Sequence, residues 1–249
     1  MPYLTSTRSR TPSTELRPGV GVPGYAHPLL APTEWGALTR PGVPLHWVVL
    51  NVADGPGSRP DPHCLEAADR LRNAGVRVLG HLDSRYGTRN PGDLISDAHR
   101  FVDWYQVDGF ILERCPADHT GLSEVRRAVA SLRVVRDDAH IVLAHGIHPH
   151  PDYARLADQV VTFSGPWNDY RWSQVADWTT HHPPERFCHF VHGVPRPQLD
   201  EALRIARRQG AATIWLTDRT DGGGRADPWE TMPGYWDEFV SRVGKGVSE

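Results

Sequence analysis

From about residue 18 onward, short uninterrupted apolar runs alternate with amphipathic segments. The first run is Val20-Gly-Val22, ending near Tyr25, and the second is Trp47 to Leu50, ending at Asn51. A helix is predicted from Pro62 to Ala74, with Asp61 as N-cap, Pro62 in the first turn and Gly75 as the stop. Val76 to Leu79 is the next strand, running on through Gly80-His-Leu to Asp83, and a helix follows from Asp93 to Tyr105. Gly109 to Leu112, ending at Glu113, precedes a helix from Ser123 to Val135. The remaining strands are Ile141–Ala144 ending at His145, Val160–Phe163 ending at Ser164, Phe187–Val191 ending at His192, and Ala212–Leu216 ending at Thr217-Asp218. Between and after them, helices are expected at Pro151–Ala157, Trp172–Thr179, Gln198–Gln209 and Tyr235–Val243.

Continuous apolar runs mark parallel strands buried on both faces, and steady β-then-α alternation marks an α/β fold. Eight such units in a chain of 249 residues predict a single (β/α)8 (TIM) barrel over 18–249. An open doubly wound sheet is the alternative, because periodicity does not register closure. Residues 1–17, rich in Ser, Thr, Arg and Pro and without periodicity, are expected to be a disordered tail.

Composition narrows the function classes. The formal charge of −3 and the lack of a basic stripe argue against a nucleic-acid partner. No stretch approaches the roughly 18 apolar residues that cross a membrane, and no secretory signal is visible, so a cytoplasmic location is expected. Lys is nearly absent while Arg is common, which suggests a GC-rich, bacterial genome. The three cysteines, Cys64, Cys115 and Cys188, have no C-x-x-C spacing, and neither a disulfide framework nor a metal site is expected. His145, His148 and His150 lack an H-E-x-x-H arrangement, and His189 and His192, three apart on a strand, face opposite ways. Gly19-Val-Gly-Val-Pro-Gly24 fits a dinucleotide fingerprint in letters only, since its glycines lie within a strand and no clear helix opens after it. No cofactor is expected. Gly222-Gly-Gly224, after the last strand, reads as a flexible loop and a possible lid.

In such a barrel the strand C-termini and βα loops carry the chemistry. The residues there are unusually polar. Asp83 and Glu113, on adjacent strands, are the carboxylates expected to do acid/base work, with Asp218 and His145 as further catalytic candidates. Tyr25, His27, Asn51, His81, Tyr86, Arg114, Ser164, Trp167 and His192 are expected to bind substrate, Trp167 and Tyr25 as stacking surfaces.

Several segments also carry a family resemblance. They are Val22-Pro-Gly-Tyr-Ala-His-Pro28 with Trp35, Leu50-Asn-Val-Ala-Asp-Gly-Pro-Gly57, and Gly75 to Arg89 with its Tyr86-Gly-Thr-Arg89 block. Trp104 to Leu112, Leu216-Thr-Asp218 and Asp227 to Trp236 complete the set. Together they resemble the spherulation-specific family 4 (spherulin-4) proteins over nearly the whole chain. The resemblance implies a (β/α)8 barrel related to glycoside hydrolases that cut α-1,4-linked galactosamine or N-acetylgalactosamine polymers. It also implies departures. Where the family carries Asp-Glu after the fourth strand, this chain has Glu113-Arg114, and where it carries Phe-Glu after the sixth, this chain has Phe163-Ser164. Ala144-His-Gly146 replaces an Asn-Pro-Gly-like turn, and most relatives are secreted.

Three functions follow as expectations. The first is a glycoside-hydrolase-like enzyme on a sugar or amino-sugar, with Glu113 as base or nucleophile and Asp83 as acid or anchor. The second is an intracellular specialised-metabolism enzyme, a cyclase, isomerase or lyase, using histidines at the same mouth on a small molecule. The third is a non-catalytic carbohydrate-binding barrel. The expected partner is thus a small molecule or oligosaccharide, and oligomeric state is left open. Arg114 beside Glu113 is expected to hold that carboxylate ionised.

Overall fold

The computed structural model describes residues 18–24, 26–222, 224 and 227–245. The expected tail at 1–17 and the candidate Tyr25 lie outside the described residues. Eight strands form the sheet: β1 (Gly19–Val22), β2 (Leu45–Leu50), β3 (Arg77–Asp83), β4 (Gly109–Glu113), β5 (His140–Ala144), β6 (Gln159–Pro166), β7 (Phe187–His192) and β8 (Thr213–Leu216). Every neighbouring pair is parallel, and β1 closes on β8 through Gly19 opposite Thr213 and Val20 opposite Ile214. The open-sheet alternative is therefore excluded: no edge strand is left unpaired. The helices are α1 (Pro32–Leu38), α2 (Pro62–Asn73), α3 (Pro91–Tyr105), α4 (Leu122–Val135), α5 (Trp167–Tyr170), α6 (Leu199–Arg208) and α7 (Trp236–Lys245). Among the described residues, no helix is long and apolar enough to cross a membrane.

Local signals explain most boundaries. Asp61 caps α2, its Oδ1 accepting from the N–H groups of His63 at 2.9 Å and Cys64 at 3.0 Å. Asn90 caps α3 in the same way, through Gly92 N at 2.8 Å, and Gln106, with φ of 53°, ends it in the left-handed region. Phe101 of α3 lies flat on the barrel at Gly80, where a Cβ would come within 2.7 Å of its ring.

Three crossovers differ from expectation. The expected Trp172–Thr179 helix is replaced by the single turn α5 and a 3-10 segment at Asp177–His181. Trp172 is 76% exposed, so a helix there would bury no continuous face. The Ser173 hydroxyl also donates back to Tyr170 O at 2.7 Å, closing the turn early. The segment expected as a helix at Pro151–Ala157 is a 3-10 turn over Pro151–Arg155. Conversely, α1 was not legible in the sequence, because it is only two turns long and its N-cap, Ala31, offers no side-chain acceptor.

The barrel interior is packed below and open above. At the bottom, Gln159 of β6 bonds across to Trp47 Nε1 at 2.6 Å and to Thr213 Oγ1 at 2.8 Å. The Trp47 indole occupies the space that a side chain at Gly21 would need, since a Cβ there would approach it to 2.6 Å. Phe190 of β7 stands edge-on to Trp47, with ring centroids 6.0 Å apart across the interior. Above Phe190 the C-terminal ends of the strands open into a cavity.

Candidate functional site

That cavity has a volume of about 680 Å³ and is floored by Phe190. Strand alternation brings His81 and Asp83 of β3 to the same inward face, and Asp83 is the register partner of Glu113 on β4. His81 Nε2 reaches Glu113 Oε2 at 2.9 Å. The His81 ring is buried while the Glu113 side chain is half-exposed to the cavity. That hydrogen bond, outweighing the effect of burial, holds the Glu113 carboxyl below the usual carboxylate range.

Asp83 has a different partner. Arg114 adopts φ of 50°, which folds its side chain back along the rim. Its Nε donates to Asp83 Oδ1 at 2.9 Å and its Nη2 to Oδ2, a bidentate pair. Arg85 N donates to Oδ1 as well, at 2.8 Å. Burial pushes the Asp83 carboxyl up, but Arg114 and the Arg85 amide overcome it and hold Asp83 low. The sequence-based expectation placed Arg114 against Glu113. The structure corrects it: His81 is the main partner of Glu113, and Arg114 engages Asp83. Arg89 is tied to Asp97 and donates to Asp83 O at 3.2 Å, fixing the backbone that presents the carboxylate.

Next around the barrel stand His145, just after β5, and Ser164 of β6. His145 Nδ1 donates to Pro116 O at 2.9 Å, and its ring packs edge-on against Tyr153 at 4.6 Å. Burial pushes its pKa down to about 4, so it stays neutral near pH 7 and is no imidazolium acid. Ser164 N donates to Gly146 O at 2.9 Å, and no carboxylate stands at that position.

The cavity thus gathers His81, Asp83, Tyr86, Glu113, Arg114, His145 and Ser164 of the expected residues. Others serve nearby without lining it. Asn51 Oδ1 accepts from Gly55 N at 3.0 Å and shapes the loop carrying Asp54, which does line it. His192 is buried beneath Trp229, with ring centroids 5.4 Å apart, and Trp229 forms part of the wall. Asp218 Oδ1 accepts from Gly234 N at 2.9 Å, bracing the final loop. Trp167 is not a stacking platform but a buried wedge packed on Tyr170, with centroids 6.3 Å apart. Sequence reasoning missed Asp54, Arg85, Phe190 and Trp229. Asp54, Arg85 and Trp229 all lie inside segments that carried the family resemblance, which was the available signal.

His27 stands apart. Its Nε2 faces Asp61 Oδ1 at 3.3 Å and Cys64 Sγ at 3.5 Å, and among the described residues these three form the one cluster with metal-ligand spacing. Leu29 N donates to His27 Nδ1, which puts the ring proton on Nε2, the nitrogen a cation would need. Burial, with Asp61 adding to it, pushes the Cys64 thiol up to about 12, so it is not a ready thiolate either. The trio reads as a hydrogen-bonded brace between the β1–α1 loop and the start of α2.

Comparison with known proteins places this geometry in context. The family model described as Spherulation-specific family 4 matches residues 19–243. Spherulin-4 of Physarum polycephalum is 23% identical over 232 residues, covering 89% of this chain and 69% of that protein. Sph3 of Aspergillus clavatus, solved in complex with GalNAc, superposes with a TM-score of 0.78 at 23% identity, covering 92% of this chain and 98% of that one. A chitinase of Rhizomucor miehei shares the barrel more distantly, with a TM-score of 0.52 at 10% identity over 81% of this chain and 93% of that one.

Proposed function

This chain belongs to spherulation-specific family 4, and from that premise we propose that its barrel mouth binds a saccharide and cleaves a glycosidic bond with Glu113 as base or nucleophile. The observation that carries the reading is the His81–Glu113 pair on the cavity wall. A carboxylate held ionised by a buried imidazole, and half-open to a cavity, suits attack on an anomeric carbon or removal of a proton from the water that attacks it. A volume of about 680 Å³ suits one or two sugar rings, and Tyr86 and Trp229 offer apolar faces to them. The GalNAc bound to Sph3 makes amino-sugars the first substrates to try.

One observation favours a second reading, saccharide binding without cleavage. A glycosidase also needs a proton donor for the leaving oxygen. Asp83 is clamped as a carboxylate by Arg114, so it is poorly prepared to donate. One experiment separates the two readings. The protein is incubated with galactosamine and N-acetylgalactosamine oligomers, and reducing ends and binding heats are both measured. Release of reducing ends is the expected result. Binding without release establishes the second reading, and neither binding nor release from any oligomer removes both.

A further inference from the structure

The cations at one edge of the cavity are unequally paired. Arg85, Arg89 and Arg114 all line it. Arg89 is consumed by Asp97, with both side chains largely buried. Arg114 and Arg85 are instead 49% and 66% exposed, and they share a single carboxylate, Asp83. Arg114 takes that carboxylate bidentately, while Arg85 Nε stays 3.6 Å from Oδ2, beyond a hydrogen bond. Among the described residues, no hydrogen bond engages the Arg85 guanidinium. Glu113 is turned to His81, and the remaining acid of the lining is Asp54, on the β2–α2 loop.

The backbone holds this edge in an uncommon shape. Asp54, Arg85, Tyr86 and Arg114 have φ between 49° and 55°, and all four line the cavity. The one other non-glycine residue with positive φ among those described, Gln106, merely ends α3. Non-glycine residues keep such conformations only where their surroundings enforce them. Here Tyr86 N donates to Arg114 O at 2.7 Å, stitching the two loops together. The consequence is a guanidinium fork with free donors on the same rim as the exposed Tyr86 ring, where Arg85 alone of the three lining arginines has no carboxylate within hydrogen-bond reach.

We infer that the β3–β4 rim is an anion subsite, taking a carboxylate or sulfate substituent of the saccharide in the cavity, with Arg85 as its specificity-determining residue. The inference rests on the saccharide reading above. A planar fork matches the oxygens of either anion, and Tyr86 gives the attached ring an apolar surface. A cationic amino-sugar against the Arg85 guanidinium is disfavoured by like-charge repulsion.

The test is calorimetric binding of galacturonate, N-acetylgalactosamine 6-sulfate, N-acetylgalactosamine, galactosamine and inorganic sulfate to the whole chain. The two anionic sugars are expected to bind about fivefold tighter than N-acetylgalactosamine at low salt, the upper end for an exposed ion pair. The advantage should shrink as sodium chloride is raised. Arg85→Asn, whose asparagine tolerates the left-handed backbone, should abolish the advantage and leave N-acetylgalactosamine binding intact. Equal or tighter binding of the neutral or cationic sugar overturns the inference while leaving the saccharide site standing. So does an anion preference that survives Arg85→Asn, or inorganic sulfate binding as tightly as the sugar sulfate. Failure of every sugar to bind overturns the saccharide reading, and the inference with it.

Discussion

Glu113→Gln is expected to lower the rate of glycosidic cleavage by roughly 10²–10⁴-fold while leaving saccharide affinity within a factor of two or so. The substitution keeps shape and removes charge. The glutamine carbonyl still accepts from His81 Nε2, so the wall of the cavity stays as it is. What disappears is the ionised oxygen that attacks or deprotonates. The expected signature is a fall in kcat with little change in KM and an unaltered melting curve. The pH profile gives an independent check. On the proposed mechanism Glu113 works as the carboxylate, so the rate should fall as pH drops through its pKa. Because the His81 hydrogen bond keeps that pKa low, activity should persist to more acidic pH than an ordinary glutamate would permit. His81→Leu removes the donor, lets the pKa rise, and moves the acid limb to higher pH. Unchanged kcat in Glu113→Gln would sink the assignment of Glu113, whatever the wild type cleaves.

The barrel was legible in the sequence because its determinants are local. Apolar runs such as Ile141–Leu143 and Val160–Val161 are buried on both faces, as parallel strands require, and Asp61 and Asn90 announce their helices with caps. The β6–β7 crossover was not legible, because Trp172 faces solvent and Ser173 spends its hydroxyl on the chain, which letter patterns do not reveal. The cavity was legible wherever alternation alone decides direction: His81, Asp83 and Glu113 sit on inward positions of adjacent strands. Which cation meets which carboxylate was not. It depends on the left-handed turn at Arg114, a residue type with no preference for that conformation. Trp229 enters from the long segment after β8, whose path no periodicity predicts. Arg114 is thus the residue whose role required coordinates: it ties the Asp83 carboxylate into a bidentate pair.

The opposite end of the barrel carries the second large effect, and there the outcome should be lost stability. Gln159 is a buried hub. Its Oε1 accepts from Trp47 Nε1 at 2.6 Å and from His140 Nε2 at 3.3 Å. Its Nε2 donates to Glu185 O at 2.9 Å and to Thr213 Oγ1 at 2.8 Å. Four elements of the barrel floor are joined through one amide. The Thr213 hydroxyl, receiving from Gln159, passes its own hydrogen to His46 Nδ1 at 2.8 Å. Burial, with Arg77 close by, keeps that imidazole neutral enough to accept it. Gln159→Leu has nearly the same volume, so it opens no cavity. It instead strands the fully buried Trp47 N–H, while the carbonyl of the exposed Glu185 turns to water. An orphaned buried donor costs about 1–3 kcal/mol, so the expected loss is about 1–3 kcal/mol. Urea titration should show a lower midpoint with an unchanged slope. Adding Trp47→Phe removes that orphan, and the double variant should lose less than the sum of the two single losses. A Gln159→Leu loss under about 1 kcal/mol would mean the amide network contributes little, against the expected cost of the orphan. Since Gln159 lies below Phe190 and Glu113 above it, folded Gln159→Leu should keep the saccharide affinity of the wild type. Stability and chemistry then separate along the barrel axis, as they should if the polar groups at the floor hold the strands and those at the mouth act on a ligand.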